Sequence, residues 1–400
     1  MENFEHYNPD RILFGPGERK RVGSELKKRG FKRALIVVAK GPFRENGLYD
    51  EIAGSIKAEG IDIYNIGDID SNPRITSVRE GVETCKKNSI ECVVALGGGS
   101  TMDSTKVIAA ASRSEDDPWE HLWGHKKPFN DSLDTVMIPT LAATGTDINP
   151  WAVIMDKEAI WKMPVTAECM YPDLTIADPE IHATVPIRLT IWGAMDMLSH
   201  TFEFYFNGYH RSIFQNRFSE AIIHSVTECV DILVKNPKDL RARGEIWWSS
   251  VMAWGGLTFL GRGGPDMACH DMAEGFVPFY DTHHGATLGV ITPRWMRFVV
   301  NKNPKSTEIF SRFARNVLGI QAVDDRKAAI QGVEQYIQWL QAIGAPKTLQ
   351  ELTGVDIPEG KLKEITAKTF KDLGRPVGNL VGLSQEDVVE ILKSCCQPLS

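Results

Sequence analysis

The sequence predicts an N-terminal α/β domain, built on a doubly wound, Rossmann-like parallel sheet, and an all-α C-terminal domain. Up to Val185, short and continuously apolar segments alternate with segments of helix length, which is typical of buried parallel strands joined by crossover helices. After Pro186 this alternation stops and long helical patterns follow one another. With 400 residues, 42% of them apolar, the chain can form two cores. We therefore assign the domains to residues 1–185 and 186–400.

The α/β prediction depends on six strand segments and on the helices between them. Residues 34–39 are uninterrupted apolar sequence, as expected of a strand that is covered on both faces. Strands are predicted at 11–15, 34–39, 62–66, 91–96, 134–138 and 174–177. Helices are predicted at 45–59, at 73–87 and from Thr101 onward.

The C-terminal domain is predicted to be helical because its apolar residues recur at helical spacing. Ser384 and Asp387 form a capping box ahead of an amphipathic run. The longest uncharged stretch, 246–261, is too short for a membrane span and indicates a buried core helix. Helices are predicted at 194–206, 212–235, 240–260, 305–317, 326–343 and 383–393.

Charge and cysteine content limit the function classes. The formal net charge of −7 argues against nucleic acid or an anionic membrane as a partner. No apolar leader segment follows Met1, so no signal peptide is expected. Seven scattered cysteines without a CxxC pair favour a reducing, cytoplasmic environment.

Four residues in two pairs have the chemistry of metal ligands. Asp196 and His200 have the i, i+4 spacing that puts two side chains on one helix face, in an otherwise apolar stretch where an unpaired charge is costly. His270 falls in a helix-like segment, and His284 lies on a turn before Gly285. One carboxylate and three imidazoles suit a divalent cation such as Fe²⁺, Zn²⁺ or Mn²⁺. Taken singly, each histidine is more readily explained as a surface residue or a hydrogen-bonded core residue.

The segment Gly97-Gly98-Gly99-Ser100, hereafter the glycine loop, follows a buried strand and opens a helix. Glycines let a ligand approach the backbone, and a helix N-terminus favours anions, so the loop predicts a pyrophosphate site. It does not match the GxGxxG fingerprint. The alternative is a tight strand–helix turn in which Ser100 and Asp103 form a capping box.

Residues 139–147, hereafter the threonine loop, also follow a strand and are rich in hydroxyl groups. Thr140 and Thr144 can line the same crevice and hydrogen-bond a cofactor, although a plain loop explains the segment almost as well. Lys162 lies further along the chain and, on its own, is typical of a surface lysine.

Together these motifs resemble the iron-containing (group III) alcohol dehydrogenases, particularly the butanol dehydrogenase and broad-range aldehyde reductase branch. The resemblance extends over nearly the whole chain. It rests on Asn8-Pro9 with 12–15, Asn72-Pro73, 97–106, 139–147, 193–196 with His200, and Cys269-His270 through His284-Gly285.

The resemblance implies a dinucleotide-binding N-terminal domain and a helical C-terminal domain with one divalent metal between them, Fe²⁺ before Zn²⁺ or Mn²⁺. It implies reversible hydride transfer between NAD(P)H and a short-chain aldehyde or alcohol, in a homodimer. The implied metal ligands are Asp196, His200, His270 and His284. The implied cofactor contacts are Gly97, Gly98, Gly99, Ser100, Asp103, Thr140, Thr144 and Lys162.

One position departs from the family pattern. Many members carry a further histidine four residues after the third ligand, where this chain has Glu274. Three roles are open to Glu274: a proton relay to solvent, an added carboxylate near the metal, or a bystander. We favour the relay. A glutamate there also disfavours anionic substrates by like-charge repulsion.

Cofactor preference is readable in part from the end of the first Rossmann-type strand. NAD-selective members of the family often carry an acidic residue there, which binds the ribose 2′-hydroxyl. This strand ends in Ala39-Lys40-Gly41, without the acid, and Lys40 can attract a 2′-phosphate. We therefore predict that Lys40 and Gly41 contact the cofactor, with NADPH preferred or both cofactors used.

Zinc polyol (glycerol-like) dehydrogenases and dehydroquinate synthase-like lyases share this architecture and stay as alternatives. The lyases need several basic residues around a polyanionic substrate, and Arg262 and Arg294 are the nearby candidates. A non-enzymatic nucleotide-binding protein would require the metal residues to be incidental. Four aromatic residues either line an apolar substrate pocket or belong to the core: Trp151, Trp254, Phe259 and Phe276.

Overall fold

The structure is a computed structural model that describes residues 2–122, 127–208 and 212–399. These residues form two compact units. One, hereafter the α/β unit, comprises Tyr7–Val185 and Lys238–Trp247. The other, hereafter the helical unit, comprises the residues up to His6, Pro186–Pro237 and the chain from Trp248 onward. Among the described residues, no helix is both long enough and apolar enough to cross a membrane.

The α/β unit is built on one parallel sheet and a separate hairpin. Its strands are β1 (Ile12–Phe14), β2 (Arg33–Ala39), β3 (Asp62–Ile69), β4 (Cys92–Gly97), β5 (Asp134–Pro139), β6 (Trp151–Asp156), β7 (Trp161–Thr166) and β8 (Leu174–Ala177). The parallel sheet has the order β1-β8-β5-β4-β2-β3, and β6 and β7 form the antiparallel hairpin. The strand order reverses at β2 and β4, because β3 and β5 lie on opposite sides of that pair. Ligands bind at such a reversal in open α/β sheets.

Two hydrophobic cores, one on each face of the sheet, explain the apolar runs. The helices of the unit are α1 (Val22–Lys28), α2 (Leu48–Ala58), α3 (Ile75–Asn88), α4 (Gly99–Ala111) and α5 (Pro179–His182). In β2, Leu35 and Val37 belong to the core that contains residues of α3 and α4. Ala34 and Ile36 belong to the core that contains residues of α1 and α2. Because successive side chains enter different cores, the strand shows no polar alternation.

All six predicted strands are present, and the predicted fold class is confirmed. The sequence does not predict the hairpin of β6 and β7, although its strands partly alternate between buried and half-buried residues. Helix α4 begins at Gly99 rather than at the predicted Thr101, because Gly98 takes the extended N-cap conformation.

The helical unit consists of long helices with an aromatic core. Its helices are α6 (Ile187–Tyr205), α7 (Ile213–Lys235), the second part of α8 (Leu240–Trp254), α9 (Ala268–Tyr280), α10 (His284–Lys302), α11 (Thr307–Asn316), α12 (Asp325–Ala342), α13 (Leu349–Thr353), α14 (Glu359–Leu373) and α15 (Gln385–Ser394). Phe206 stacks on Phe310 with ring centroids 4.3 Å apart. Phe313 contacts Phe206 edge-on, and Phe202, Phe313 and Tyr336 contact one another in the same way.

Three predictions in this unit have clear outcomes. The helix predicted at 240–260 ends at Trp254, and Gly256 then takes a φ of 98° that no helix accommodates, so a single core helix over 246–261 is wrong. His284, expected on a turn, is the first residue of α10. The capping box of Ser384 and Asp387 is confirmed at the start of α15.

Candidate functional site

Helix α6 presents three polar side chains on one buried face. Asp196, His200 and Glu203 follow one another at i, i+4 and i+7, which is close to two full turns. All three are buried in the helical unit. The spacing of Asp196 and His200 was the basis for predicting a shared face, whereas Glu203 was missed. The i+7 spacing to Asp196 is the signal that could have found it.

Helices α9 and α10 supply the other two predicted ligands. His270 lies in the first turn of α9, and His284 begins α10. Helix α10 approaches α6 closely through Gly285, where a Cβ would lie 2.2 Å from the carbonyl oxygen of Trp192 and 3.3 Å from Asp196 Cβ. The glycine is therefore required for His284 to reach the face of α6 that carries Asp196.

Asp196 is the centre of the group formed by these side chains, hereafter the ligand group (Asp196, His200, His270 and His284). Its Oδ1 atom lies 3.7 Å from Nε2 of His200, 4.0 Å from Nε2 of His270 and 3.8 Å from Nε2 of His284. Candidate donor atoms of Asp196, His270 and His284 all lie within 4.8 Å of one another. His200 joins the group through Asp196 and stacks on His270 with ring centroids 4.8 Å apart.

Glu203 holds His270 from behind. One carboxylate oxygen accepts the backbone N–H of His270 at 3.0 Å, and the other lies 2.7 Å from Nδ1. Burial lowers the pKa of His270, but the Glu203 carboxylate and then Asp196 outweigh it and raise that pKa to about 9. The anions around the ring therefore favour positive charge at this position.

The ligand group fits a small divalent ion. Nε2 of His270 is buried and has no hydrogen-bond partner among the described residues, which suits a metal donor. The spacings from Asp196 are a few tenths of an ångström wider than the roughly 3.4 Å expected between ligands of a tetrahedral ion with bonds of about 2.1 Å. The mixed carboxylate and imidazole set suits Fe²⁺, Zn²⁺ or Mn²⁺ equally.

Glu274 lies one helical turn after His270 on α9 and is half-buried. Its charge acts on His270 and on Asp271, whose pKa it helps to raise. Asp271 is buried and bound by both terminal nitrogens of Arg375 at 2.9 Å. Arg375 thus pairs with Asp271, the residue that follows His270. Glu274 lies one turn after His270 on the same helix.

Aromatic rings adjoin the ligand group on one side. The half-buried Trp254 lies 4.8 Å from the ring of His200 and 5.2 Å from Phe204. Phe259, also half-buried, lies 5.0 Å from Phe204. Phe276 is fully buried and belongs to the core. Of the aromatic residues considered in the helical unit, Trp254 is therefore the one placed against a ligand.

In the α/β unit, Gly97 and Gly99 of the glycine loop leave no room for a side chain, whereas a Cβ on Gly98 would meet only Leu141, at 3.6 Å. A Cβ on Gly97 would lie 2.3 Å from Thr101 Oγ1, and one on Gly99 would lie 2.7 Å from Thr144. Gly98 is the N-cap of α4, and no side chain caps that end. The first amide groups of α4 therefore stay oriented for an anion, which is the cradle that a pyrophosphate requires.

The capping box considered for Ser100 and Asp103 is wrong. The Ser100 hydroxyl donates to the carbonyl of Ser71 at 2.5 Å. Asp103 instead accepts from the Thr146 hydroxyl at 2.6 Å and from the Val153 amide at 2.9 Å. Asp103 therefore joins the threonine loop to β6 rather than capping its own helix.

The threonine loop lies directly against the glycine loop. The Thr140 amide donates to the Gly97 carbonyl at 2.9 Å, and Thr144 contacts the position of Gly99. The buried ammonium of Lys106, on α4, donates hydrogen bonds to the carbonyls of Thr146 and Asn149 at 2.7 and 2.8 Å. Burial lowers the pKa of Lys106 to about 8, although the neighbouring carboxylates oppose this.

The predicted cofactor residues Lys162, Lys40 and Gly41 lie outside this pair of loops. Lys162 is half-buried on β7, and its charge acts on Asp103. Lys40 and Gly41 follow β2, and the Lys40 ammonium is exposed and lies 3.4 Å from Asp70. Trp151, considered for a substrate pocket, is half-buried at the start of β6.

Arg262 and Arg294, the cations considered for a polyanionic substrate, are both buried. Arg262 donates to Asn216, Ser219 and the Thr258 carbonyl. Arg294 donates to four carbonyl oxygens: those of Val290, Lys347, Ser394 and Gln397. Since both guanidinium groups are used within the fold, neither supports the lyase alternative.

Comparison with known proteins covers nearly the whole chain. The profile of the family described as iron-containing alcohol dehydrogenase matches residues 9–179. The profile described as Fe-containing alcohol dehydrogenase family, C-terminal, matches residues 190–396. The chain is 33% identical to NADH-dependent butanol dehydrogenase A of Clostridium acetobutylicum, over 98% of this chain and 99% of the relative.

Two further proteins are similar to the chain. It is 29% identical to the NADPH-dependent aldehyde reductase YqhD of Escherichia coli, over 94% of this chain and 95% of the relative. The crystal structure of NADH-dependent butanol dehydrogenase A from Thermotoga maritima superposes with a TM-score of 0.92 at 34% identity, covering 99% of both chains.

Proposed function

The chain belongs to the iron-containing alcohol dehydrogenase family, and on this premise we propose that it is a metal-dependent enzyme that interconverts short-chain aldehydes and alcohols with NAD(P)H. Alcohol–aldehyde interconversion agrees with the activities named for its relatives. The observation that carries the proposal is the ligand group, in which one carboxylate and three imidazoles from α6, α9 and α10 converge.

The ligand group would hold the metal. A divalent ion bound there supplies Lewis acidity toward the oxygen of the substrate. Asp196 would contribute the single negative charge among the ligands, and Glu203, which lies against Nδ1 and the backbone amide of His270, would leave Nε2 to bind the ion. Asp196, His200 and His270 are buried and His284 is half-buried, so the fold already holds the four side chains close together.

The glycine loop and the threonine loop would bind the cofactor. A bound nicotinamide supplies or accepts the hydride, while the protein fixes its position. Gly98, Gly99 and Ser100 offer the start of α4 to the pyrophosphate. Thr140, Thr144, Asp103 and Lys162 are assigned to the remaining contacts on the basis of the resemblance, with Lys106 holding the threonine loop in place.

We assign the alkyl chain of the substrate to the aromatic side of the ligand group. Trp254 lies against His200, and Phe259 extends the apolar surface through Phe204. Glu203 and Glu274 both place negative charge beside His270, and this charge disfavours acidic substrates. An uncharged short-chain aldehyde meets both conditions.

We propose that Glu274 relays the proton between the reacting oxygen and solvent. Glu274→Gln removes the titrating group with little change in shape, so turnover should fall about tenfold or more and lose its pH dependence on that group. Steady-state kinetics from pH 5 to 9 with saturating metal would measure this. Glu274→His, which restores the residue common in the family, should recover turnover.

Glu364→Gln, an exposed change on α14, is the matched control and should leave kinetics unchanged. An unchanged pH profile and turnover in Glu274→Gln would remove Glu274 from the mechanism and support the bystander role.

Lys40 supports use of NADPH, while Asp70 beside it opposes a strong preference. We therefore propose that both cofactors are accepted. The named relatives include NADH-dependent and NADPH-dependent enzymes. The expected homodimer and cytoplasmic location stay predictions.

The deciding experiment compares metal-stripped protein with the same protein reloaded anaerobically with Fe²⁺, Zn²⁺ or Mn²⁺. Oxidation of NADPH and of NADH by butanal is followed by the absorbance at about 340 nm, where the reduced nicotinamide absorbs. We expect activity in the reloaded samples and less than about a hundredth of it in the stripped sample. His284→Ala should stay inactive with every metal.

Nucleotide binding without turnover by any metal-loaded sample would contradict the proposed reaction. It would favour the lyase alternative or a non-enzymatic nucleotide-binding protein.

A further inference from the structure

We propose that Asp70 lowers the affinity of this chain for NADPH relative to NADH by competing for the Lys40 ammonium that a 2′-phosphate would require. The inference rests on the proposed function, because it concerns the adenosine end of the same nicotinamide cofactor. It assigns a specificity role to a residue outside the glycine loop and the threonine loop.

Asp70 and Lys40 occupy equivalent places on neighbouring strands. Strand β2 ends at Ala39 and β3 ends at Ile69, so each charged residue directly follows its strand. The Lys40 amide donates to the Ile69 carbonyl at 2.9 Å, which continues the sheet past both strand ends. Both side chains therefore lie at the carboxyl edge of the sheet, where open α/β sheets bind their ligands.

The same edge contacts the glycine loop on both sides of this pair. A Cβ on Gly97 would lie 2.8 Å from Ala39 Cβ, the residue before Lys40. The Ser100 hydroxyl donates to the carbonyl of Ser71, the residue after Asp70, at 2.5 Å. A dinucleotide whose pyrophosphate lies on the glycine loop therefore has its adenosine ribose within reach of Lys40 and Asp70.

The Asp70 carboxylate is shared between two cations. Oδ1 lies 3.4 Å from the Lys40 ammonium, and Oδ2 lies 3.2 Å from Nε of Arg74. The Lys40 side chain is 69% exposed, the Asp70 side chain 39% and the Arg74 side chain 18%, so Lys40 is the one that a ligand can draw away. Without Asp70, the Lys40 ammonium would be available to an anion at this edge.

Asp70 therefore acts against a 2′-phosphate in two ways. Its negative charge repels the phosphate directly, and its ion pair holds the Lys40 ammonium that would bind the phosphate. The 2′-hydroxyl of NADH meets neither cost and can donate to a carboxylate. Lys40 by itself thus does not make the site selective for NADPH, although no acid stands at the end of β2.

The test uses two nucleotides that differ only in the 2′-phosphate: 5′-AMP and adenosine 2′,5′-bisphosphate. Their dissociation constants for the full chain are measured by titration calorimetry at low salt, where exposed charges are least screened. Asp70→Asn should tighten binding of the bisphosphate about fivefold while changing 5′-AMP less than about twofold. The kcat/KM ratio of NADPH to NADH should rise by a similar factor.

A double-variant cycle tests the mechanism. Lys40→Gln in the Asp70→Asn background should remove most of the gain, because the released ammonium is its source. Asp68→Asn is the matched control: it makes the same charge change on an exposed residue of β3, and asparagine tolerates the left-handed φ of 59° found there. It should shift the preference less than about twofold.

The inference is overturned if Asp70→Asn and Asp68→Asn change the ratio of the two affinities equally, or if both nucleotides tighten together. A different result would be that the unaltered chain binds none of the four ligands: 5′-AMP, adenosine 2′,5′-bisphosphate, NADH and NADPH. It would contradict the proposed function, and this inference with it.

Discussion

Glu203 shows how one buried carboxylate organises a neighbouring ligand. It accepts the backbone amide of His270 and lies 2.7 Å from Nδ1 of the same residue, so it fixes both the position of the helix turn and the direction of the ring. A carboxylate on Nδ1 keeps the proton on that nitrogen and leaves Nε2 as the donor atom. Glu203 is thus a positioning residue that acts through His270.

Glu203→Gln should weaken metal binding about 10- to 100-fold, because the amide carries no charge and has only one oxygen to accept from the backbone N–H and Nδ1 of His270. Competition between the protein and a chromophoric chelator for Zn²⁺ measures this without reference to activity. Glu220→Gln is the matched control, since Glu220 is a buried glutamate of the same unit that bonds Tyr205 and Asn316. Equal Zn²⁺ affinities for the two variants would show that Glu203 has no role in holding the ligand.

At the scale of elements, the ligand group depends on how closely α10 packs on α6. Gly285 and Gly289 are one turn apart, and a Cβ on Gly289 would lie 2.8 Å from Met195 Cγ. The clash at Gly285 would involve the Trp192 carbonyl oxygen, which is backbone and cannot rotate away. The close packing of α10 on α6 therefore sets the distance of 3.8 Å between Nε2 of His284 and Oδ1 of Asp196.

Gly285→Ala should force α10 away from α6, destabilise the protein by about 1–3 kcal/mol and weaken Zn²⁺ binding at least about tenfold. Urea unfolding and the chelator competition measure the two effects. Gly360→Ala in α14 is the control, because Gly360 is exposed and a Cβ there meets nothing within 4 Å, so stability should stay or rise by up to about 1 kcal/mol. Normal Zn²⁺ affinity in Gly285→Ala would contradict the packing argument.

At the scale of the whole molecule, stability depends on pH through carboxylates whose pKa differs between the folded and unfolded states. Glu25 is the clearest case. It is 1% exposed and lies within 3.1 Å of Arg11, Arg21 and Lys28. Hydrogen bonds from Lys28 and Arg11 lower the pKa of Glu25 from 4.5 to about 2, against the effect of burial.

A pKa that is lower in the folded state stabilises the protein above the unfolded pKa of 4.5, and this contribution is lost as the pH falls toward about 2. Glu25→Gln should therefore cost about 1–2 kcal/mol at pH 7, a figure reduced because Arg11, Arg21 and Lys28 are largely exposed and screened. The difference from the unaltered protein should shrink between pH 4.5 and pH 3. Urea midpoints followed by circular dichroism at pH 7, 4.5 and 3 would measure it.

The exposed Glu83→Gln change in α3 should alter the free energy of unfolding by less than about 0.5 kcal/mol at every pH. If Glu25→Gln lost as much stability at pH 3 as at pH 7, the ion pairs would not be its cause.

Local patterns in the sequence were sufficient for the elements whose side chains repeat with a clear period. The apolar run of β2 is typical of a strand between two cores, and the spacing of Asp196 and His200 predicts a shared helix face. The hairpin of β6 and β7 escaped prediction because its strands are short and only partly alternate. Helix α8 was extended too far because an apolar composition does not reveal the positive φ of Gly256.

Fold class and family could be predicted from the amino-acid sequence, because periodicity, glycine positions and motif spacing are properties of short segments. The partners of the individual residues became known with the three-dimensional structure. It turned Asp103 from a helix cap into a link to β6, placed Glu203 behind His270, and joined Asp70 to Lys40 across two strands. These contacts bridge separate elements, and their energies depend on burial and distance, which no local pattern specifies.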